Sequence, residues 1–167
     1  MFIKLFRVVF AIALTVFTLH NANAQNLDPA LVMVKTLRLG SNLSSMSHAA
    51  IVKTQTYPMI LYANPVSGKE IVNEELDKAI LNHQDQWDRN LADSYASLLT
   101  GEEMTSITKQ KAGSPYVSKL QAVQSQAGAN MHNKSAGLLG TVVSEALNNA
   151  FSKVQKNMPP RESSPPH

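Results

Sequence analysis

Apolar residues recur at intervals of three or four along most of the chain after residue 27, and strict alternation of apolar and polar residues is almost absent. The clearest repeat is Trp87, Leu91 and Tyr95, which are spaced by four. This interval places apolar side chains on one face of an α-helix. The pattern predicts an all-α fold, a single compact array of about five or six amphipathic helices over residues 25–157.

The first two helices are bounded by capping and turn residues. Asp28-Pro29 is a typical helix start, because aspartate caps free amides and proline suits the first turn. This helix is predicted to run to Gly40, and a second one to cover residues 43–55. The residues expected to face inward on the second helix are Met46, Ala49, Ala50 and Val52.

Two X-Pro steps, Tyr57-Pro58 and Asn64-Pro65, bracket the apolar run from Met59 to Tyr62. Since a residue before proline avoids the helical region, both steps predict breaks. The run between them is predicted to form one helical turn or an extended segment packed on the core, with a short strand as the alternative.

Two long helical patterns follow. As one helix, the first pattern (residues 68–99) would reach roughly 45 Å at 1.5 Å per residue. Because that length exceeds a small domain, we favour two helices with a bend near His83 over a single helix. The second pattern covers residues 115–156, and we expect it to continue through Gly128, straight or kinked, with a full break as the alternative.

Between these patterns, Thr100-Gly101-Glu102-Glu103 matches a capping box. The Thr100 hydroxyl is expected to accept a hydrogen bond from the Glu103 amide, while the Glu103 carboxylate accepts one from the Thr100 amide. The short helix should end near Ala112-Gly113. Ser114-Pro115 should start the next helix, with serine as the cap and proline in the first position.

The first 24 residues have the order of a secretory signal peptide. Two basic residues precede the apolar run Val8–Leu19, and Ala22-Asn23-Ala24 provides a small-x-small cleavage site. The apolar run is too short for a membrane span of about 20 residues, so a retained anchor is the less favoured interpretation. We expect cleavage after Ala24, a periplasmic or secreted location, and a disordered Pro- and Ser-rich tail at residues 158–167.

Composition narrows the class of function. The chain has no cysteine, so helix packing rather than disulfides must stabilise it after export. Removal of the leader lowers the formal charge from +3 to +1, because two of the 15 basic residues and none of the 12 acidic residues lie in it. The remaining basic residues are scattered, whereas nucleic-acid binding requires clustered ones. We expect no nucleic-acid partner, no metal or other cofactor, and no membrane span after processing.

A tyrosine-bearing helix runs into a Thr-x-Glu-Glu-Met helix start, and a Ser-Pro-Tyr element opens a further helix. The residues that carry this pattern are Trp87, Leu91, Tyr95, Leu98, Leu99, Thr100, Glu102, Glu103, Met104, Ser114, Pro115, Tyr116 and Leu120. Over about residues 85–120 the chain resembles a family of small exported proteobacterial helical proteins, catalogued as a domain of unknown function. It departs from the family pattern at residues 107–111, which lack the usual aromatic pair, and at the position where glycine is common, which is Ser118 or Val117 in this chain. The resemblance implies an all-helical exported domain and carries over no catalytic residues.

The densest cluster of functional side chains is the segment from His83 to Asp88. A metal site there needs ligands from elsewhere, because the chain has no His-Glu-x-x-His helix. We favour a solvated helix face with an Asp85–Arg89 pair and with Trp87 turned to the core. Capping and the helix dipole explain Glu102-Glu103 better than acid–base catalysis does. The dispersed methionines favour core filling over copper binding.

These patterns favour a non-catalytic envelope accessory or binding module that engages an envelope protein or an apolar ligand, in an oligomeric state that the sequence leaves open. The residues of its candidate ligand groove are Trp87, Tyr95, Tyr116 and Phe151, for which core packing is the simpler explanation. The alternative is a hydrolase or metal-dependent enzyme with a site assembled from dispersed His, Asp and Glu. Convergence of His83 or His132 with two carboxylates in a cleft would favour that enzyme.

Overall fold

The structure is a computed structural model and describes residues 27–156. Within that range it has no strand, and its helices confirm the all-α prediction. The helices are α1 (27–36), α2 (Asn42–Ile51), α3 (Thr56–Ala63), α4 (Gly68–Ala96), α5 (Gly101–Gln110) and α6 (Val117–Lys156), with a 3₁₀ turn at Lys111–Gly113. The predicted signal peptide (1–24) and the predicted disordered tail (158–167) lie outside the described residues.

The chain divides into two structural units whose boundaries fall inside α4 and α6. Among the described residues, the first unit comprises 27–40 and 86–135, and the second unit comprises 41–85 and 136–156. Each unit therefore contains one segment of α4 and one segment of α6.

In the first unit, the stripe of Trp87, Leu91 and Tyr95 is buried, as its four-residue spacing predicts. The other buried apolar residues of this unit are Ala30, Met33, Val34, Ala92, Ala96, Leu99, Met104, Ile107, Leu120, Ala127 and Met131. Asn90 Nδ2 donates a hydrogen bond to Ser135 Oγ at 2.9 Å. This contact places the α4 segment beside the α6 segment within this unit.

The predicted capping box at the start of α5 is present. The Thr100 amide donates to Glu103 Oε2 at 2.9 Å, and the Glu103 amide donates to Thr100 Oγ1 at 3.3 Å. Lys119 Nζ also donates to both Glu103 carboxylate oxygens, at 2.6 and 2.8 Å. Glu103 therefore caps α5 and at the same time ties it to the first turn of α6.

The start of α6 differs in detail from the prediction. Ser114 Oγ accepts a hydrogen bond from the Tyr116 amide at 3.3 Å, so the serine does act as a local cap. The helix begins at Val117, however, and Pro115 therefore precedes it rather than occupying its first position. The fixed φ of Pro115 stiffens the turn that leads into α6.

The first helix ends at residue 36 rather than at the predicted Gly40. The Leu39 amide donates to the Val34 carbonyl at 2.9 Å and the Arg38 amide donates to the Lys35 carbonyl at 3.3 Å. This pair of hydrogen bonds is a Schellman motif, which requires a left-handed residue before its last position. Arg38 takes that place with φ of 53°, although glycine is the usual residue there.

In the second unit, the predicted inward face of α2 is wrong. Leu43, Ser47 and Ile51 are the buried residues of this helix. The residues predicted to face inward are instead exposed or half-buried: Met46, Ala49, Ala50 and Val52. The buried stripe has a serine at its centre, so counting apolar residues favoured the neighbouring face.

The apolar run between the two X-Pro steps belongs to the short helix α3, which confirms the helical option over the extended one and the strand. The break predicted at Tyr57-Pro58 is wrong, because α3 begins at Thr56 and includes both residues, whereas the break predicted at Asn64-Pro65 is confirmed. Pro58 lies in its first turn, where a missing N–H breaks no intrahelical bond. Asn64 ends the helix with φ of −140° and ψ of 82°, a conformation that suits a residue before proline.

A close approach joins the start of α4 to α3. Gly68 is buried, and a Cβ on this residue would lie 3.0 Å from the Ile60 carbonyl oxygen and 3.4 Å from Leu61 Cα. The Gly68 amide donates to the Asn64 carbonyl at 2.8 Å. Glycine at this position therefore allows the two helix backbones to meet.

Both long helical patterns form single helices. α4 runs unbroken through His83 for 29 residues, so the favoured division into two helices is wrong. The length argument had assumed that the whole pattern packs within one small domain, whereas α4 contributes to two units. α6 runs through Gly128 for 40 residues, which confirms the expected continuity.

The core of the second unit follows helical periodicity. Its buried apolar residues are Leu43, Ile51, Ile60, Val72, Leu76, Ala79, Ile80, Val142, Val143, Ala146, Leu147, Ala150 and Val154. Those of α6 recur at Val142, Ala146, Ala150 and Val154, a four-residue interval that forms one apolar stripe. Across residues 27–156, none of the helices combines the length and the hydropathy that crossing a bilayer requires.

Candidate functional site

An apolar depression opens on the surface of the second unit. It is lined by Pro58, Met59, Tyr62 and Ala63 of α3 and by Phe151 of α6. Its volume is about 430 Å³. No charged side chain lines it, so its chemistry suits an apolar or aromatic contact rather than an ionic one.

The side chains around this apolar depression are unusually exposed for their type. Tyr62 is 90% exposed and Met59 is 58% exposed, while Ile60 between them is fully buried. An eight-residue helix that buries Ile60 must turn some of its other apolar residues toward solvent, because successive residues point about 100° apart. Clustered exposed apolar groups of this kind mark interaction surfaces more often than isolated ones do.

The four residues of the predicted groove lie in different surroundings. In the first unit, Trp87 and Tyr95 are 3% and 5% exposed, so they are core residues, while Tyr116 is exposed. Burial raises the pKa of the Tyr95 hydroxyl. In the second unit, Phe151 is half-buried and lines the apolar depression. Phe151 is thus the one of these four that contributes to the described depression.

A charge cluster lies on α4 and α6 of the second unit, and it consists of Glu74, Glu75, Lys78 and Lys153. The Glu75 carboxylate is buried and accepts hydrogen bonds from Lys153 at 2.6 Å and from Lys78 at 3.0 Å. Glu74 is exposed and pairs with the same two ammonium groups, at 2.8 Å from Lys78 and 3.4 Å from Lys153. The cluster joins the first half of α4 to the end of α6.

These contacts set the protonation of the charge cluster. The hydrogen bond from Lys153 is the main cause that lowers the pKa of Glu75, while burial of the carboxylate acts in the opposite direction. The hydrogen bond from Lys78 is the main cause that lowers the pKa of Glu74, and the same contact raises the pKa of Lys78. These shifts favour the charged forms of Glu74, Glu75 and Lys78, and the cluster is a structural ion-pair network.

His83 contacts α6 eight residues further along α4. His83 Nε2 lies 2.7 Å from Glu145 Oε2, and Asn82 Nδ2 donates to Glu145 Oε1 at 3.0 Å. Because a carboxylate only accepts hydrogen bonds, the shared proton lies on His83 Nε2. The hydrogen bond from His83, followed by that from Asn82, lowers the pKa of Glu145. The prediction that His83 lies on a solvated helix face is therefore incomplete, since the His83 side chain also joins α4 to α6.

The contact at His83 brings one carboxylate to one histidine. Convergence with two carboxylates would favour an enzyme, and Glu145 is the only carboxylate recorded within bonding distance of His83 in the described part of the chain. Among residues 27–156, no group of three or more His, Asp or Glu has an arrangement that could hold a metal ion.

The methionines divide between the core and the surface. Met33, Met104 and Met131 are buried, which agrees with core filling. Met46 and Met59 are exposed, so for these two the core-filling interpretation is wrong. Met59 instead supplies a flexible, polarisable side chain to the apolar depression.

Comparison of the chain with family models, with curated proteins and with solved structures found no match. The resemblance to a family of exported proteins of unknown function therefore stays a prediction.

Sequence reasoning assigned the apolar run of α3 to the core and so missed the depression. A signal was present in the run itself, because the four consecutive apolar residues from Met59 to Tyr62 span most of the circumference of a helix. Once that run is helical, some of its side chains must face outward. The contribution of Phe151 carries no comparable local signal, since it comes from a helix almost 90 residues away in the sequence.

Proposed function

We propose that this chain is an exported, non-catalytic binding protein of the cell envelope, and that the apolar depression of the second unit is its binding surface. The ligand class is an apolar or aromatic peptide segment. The leader-like order of residues 1–24 supports export, and the lack of a charged lining supports an apolar ligand.

One observation carries the proposal, namely that Tyr62 and Met59 stand exposed beside an apolar concavity. Tyrosine and methionine are enriched at interfaces, because tyrosine supplies a large area at low entropic cost and methionine adapts to irregular surfaces. Solvation of these side chains is unfavourable, so covering them with an apolar segment favours association.

A site-specific cross-linking experiment tests this assignment. A photoreactive phenylalanine analogue replaces Tyr62 in one strain and Tyr116 in a second, and both proteins are irradiated in intact cells. We expect a defined cross-linked product from position 62 and none from position 116, because Tyr116 is an exposed tyrosine outside the depression. Equal products from the two positions, or none from position 62, would overturn the assignment.

Export is tested separately. Mass spectrometry of the protein purified from the envelope fraction should give a first residue of Gln25, since cleavage is expected after Ala24. Recovery of the intact leader from the cytoplasmic fraction would contradict export without bearing on the apolar depression.

The alternative function, a hydrolase, has one observation in its favour. The contact between His83 and Glu145 orients an imidazole in the way that a general base is oriented. This role predicts that His83→Ala abolishes turnover of an ester or amide substrate while the helical content is retained. Absence of turnover by the unmodified protein over a broad panel of such substrates would reject it.

A further inference from the structure

The apolar depression has a candidate occupant within the chain itself. We propose that Met158-Pro159-Pro160, from the C-terminal segment (residues 157–167), occupies the depression as a tethered ligand. An external peptide of the same chemistry must then displace it. This inference deepens the proposed function and rests on it, because it concerns the same surface.

The chemistry of the two partners matches. The depression offers the rings of Tyr62 and Phe151 beside Pro58, with no charged lining residue. Pro-rich segments dock on aromatic-lined grooves because their extended helix is already ordered and loses little entropy on binding. Four of the eight prolines of the chain lie in the C-terminal segment, and Met158-Pro159-Pro160 is its uncharged apolar portion.

The length of chain also matches. Phe151 lies five residues before Lys156, the last described residue of α6, which corresponds to about 7.5 Å along the helix axis. Eleven residues follow Lys156 in the sequence. A Pro-rich chain advances about 3.1 Å per residue, so a segment of this length can span about 34 Å and is long enough to reach Phe151.

Tethering strengthens a weak contact. A short connection gives the segment an effective concentration in the millimolar range at the depression. A contact that would be barely detectable between separate molecules is thus substantially occupied within one chain. An external peptide competes with this internal ligand, so its apparent affinity rises when the internal ligand is removed.

Methionine-methyl NMR on the chain from Gln25 to His167 tests the inference directly. Met59 lies in the apolar depression, Met158 lies in the segment, and the exposed Met46 lies outside the lining as an internal control. We expect a nuclear Overhauser effect between the Met158 methyl group and the ring of Phe151. The double substitution Pro159→Ser with Pro160→Ser should shift the Met59 resonance and leave that of Met46 in place.

A matched control uses the second proline pair of the same segment. Pro165→Ser with Pro166→Ser alters the composition equally and should leave the Met59 resonance unchanged. An unchanged Met59 resonance in the first double variant, together with no contact between Met158 and Phe151, overturns the inference. A contact seen only between labelled and unlabelled copies also overturns it, because the occupant is then a second copy.

A binding measurement extends the test. A synthetic peptide with the sequence of residues 157–163 should bind the Pro159→Ser, Pro160→Ser variant roughly two- to tenfold more tightly than it binds the unmodified chain, given a millimolar effective concentration. Equal binding to both proteins would overturn the tethered occupant and leave the depression as a binding surface. Loss of the cross-link from position 62 would instead reject the proposed function.

Discussion

The two units of the chain differ in the hydrogen bonding of their buried hydroxyl groups and in the number of large apolar side chains that they expose. In the first unit, the buried hydroxyl of Ser135 is hydrogen bonded, and so is that of Ser94, which donates to the Asn90 carbonyl at 2.8 Å. In the second unit, Ser47 Oγ is fully buried and has no hydrogen-bond partner among the described residues.

The exposed apolar groups show the same contrast. Large apolar side chains exposed in the second unit are Met46, Val52, Met59, Tyr62, Val66 and Leu81, whereas those of the first unit are Val32 and Tyr116. Exposed apolar side chains mark interaction sites when they are contiguous, whereas single ones are normal on protein surfaces. The second unit thus differs from the first in two respects, because it exposes more large apolar side chains and contains a buried hydroxyl without a partner.

The largest expected effect comes from the buried carboxylate of the second unit. Glu75→Ala leaves Lys78 and Lys153 without the carboxylate between them and opens a buried gap. Breaking a fully buried ion pair costs about 3–5 kcal/mol, and we expect roughly 2 kcal/mol because both ammonium groups are partly solvated. Urea unfolding of the variant and the unmodified chain measures the difference.

The neighbouring carboxylate provides the control for Glu75. Glu74 contacts the same two lysines but is exposed, so Glu74→Ala should change the free energy of unfolding little. Equal losses from the two variants would show that exposed charge, rather than burial, sets the energetics of the cluster.

Glycine-to-alanine substitutions should have opposite signs at two positions. Gly68→Ala places a methyl group 3.0 Å from the Ile60 carbonyl oxygen, so the backbones must separate. We expect a loss of about 1–2 kcal/mol, as for overpacking. Gly128→Ala places its methyl group in open space within α6 and should stabilise the chain by about 1 kcal/mol.

Two further glycines test whether the sign of the stability change depends on the space around the residue or on the unit that contains it. Gly137 and Gly140 belong to the second unit, and a Cβ on either would also meet open space. Alanine at either position should stabilise the chain, as at Gly128. Destabilisation there would show that the sign follows the unit rather than the room around the residue.

Serine-to-alanine substitutions compare a partnered hydroxyl with an unpartnered one. Ser47→Ala removes a desolvated hydroxyl and should stabilise the chain by about 1 kcal/mol, whereas Ser135→Ala leaves Asn90 without its acceptor and should cost about 1 kcal/mol. Both variants gain the same helix propensity, so the difference between their denaturation midpoints isolates the hydrogen bonds. Equal midpoints would remove this contrast between the units.

The smallest effect concerns acid. The folded-state pKa values of Glu74, Glu75 and Glu145 in the second unit are lowered, and so is that of Glu103 in the first. The stabilisation from these carboxylates is complete above their unfolded pKa of about 4.3 and is lost as the pH falls through the folded values. Unfolding free energy measured at pH 6 should exceed that at pH 3.5.

Two variants determine how much of the stability lost in acid comes from each unit. Glu75→Gln should reduce the difference between the two pH values, and Glu103→Gln provides the corresponding measurement for the first unit. A pH dependence that neither variant reduces would show that other groups control the acid response.

Sequence predicted the local features well and the distant ones poorly. The capping box was predictable because Thr100 and Glu103 lie within one helical turn. The buried stripe from Trp87 to Tyr95 was predictable because apolar residues at a spacing of four lie on the same face of a helix. The inward face of α2 was not predictable in this way, since the polar residue Ser47 occupies its centre. The pairing of His83 with Glu145 joins residues 62 positions apart, and no local pattern specifies it.

Two of the polar contacts between α4 and α6 in the second unit have equal spacing on both helices. Glu75 and His83 are eight residues apart on α4, and their respective partners Lys153 and Glu145 are eight apart on α6, in the reverse order. Sliding either helix by one turn, about 5.4 Å, would break both contacts together. The same geometry makes the region sensitive to length: inserting one residue between Glu75 and His83 would rotate the histidine by about 100° away from its partner. An insertion or deletion here therefore changes the placement of the two contacts relative to each other, whereas a single substitution at one of these four residues removes one contact.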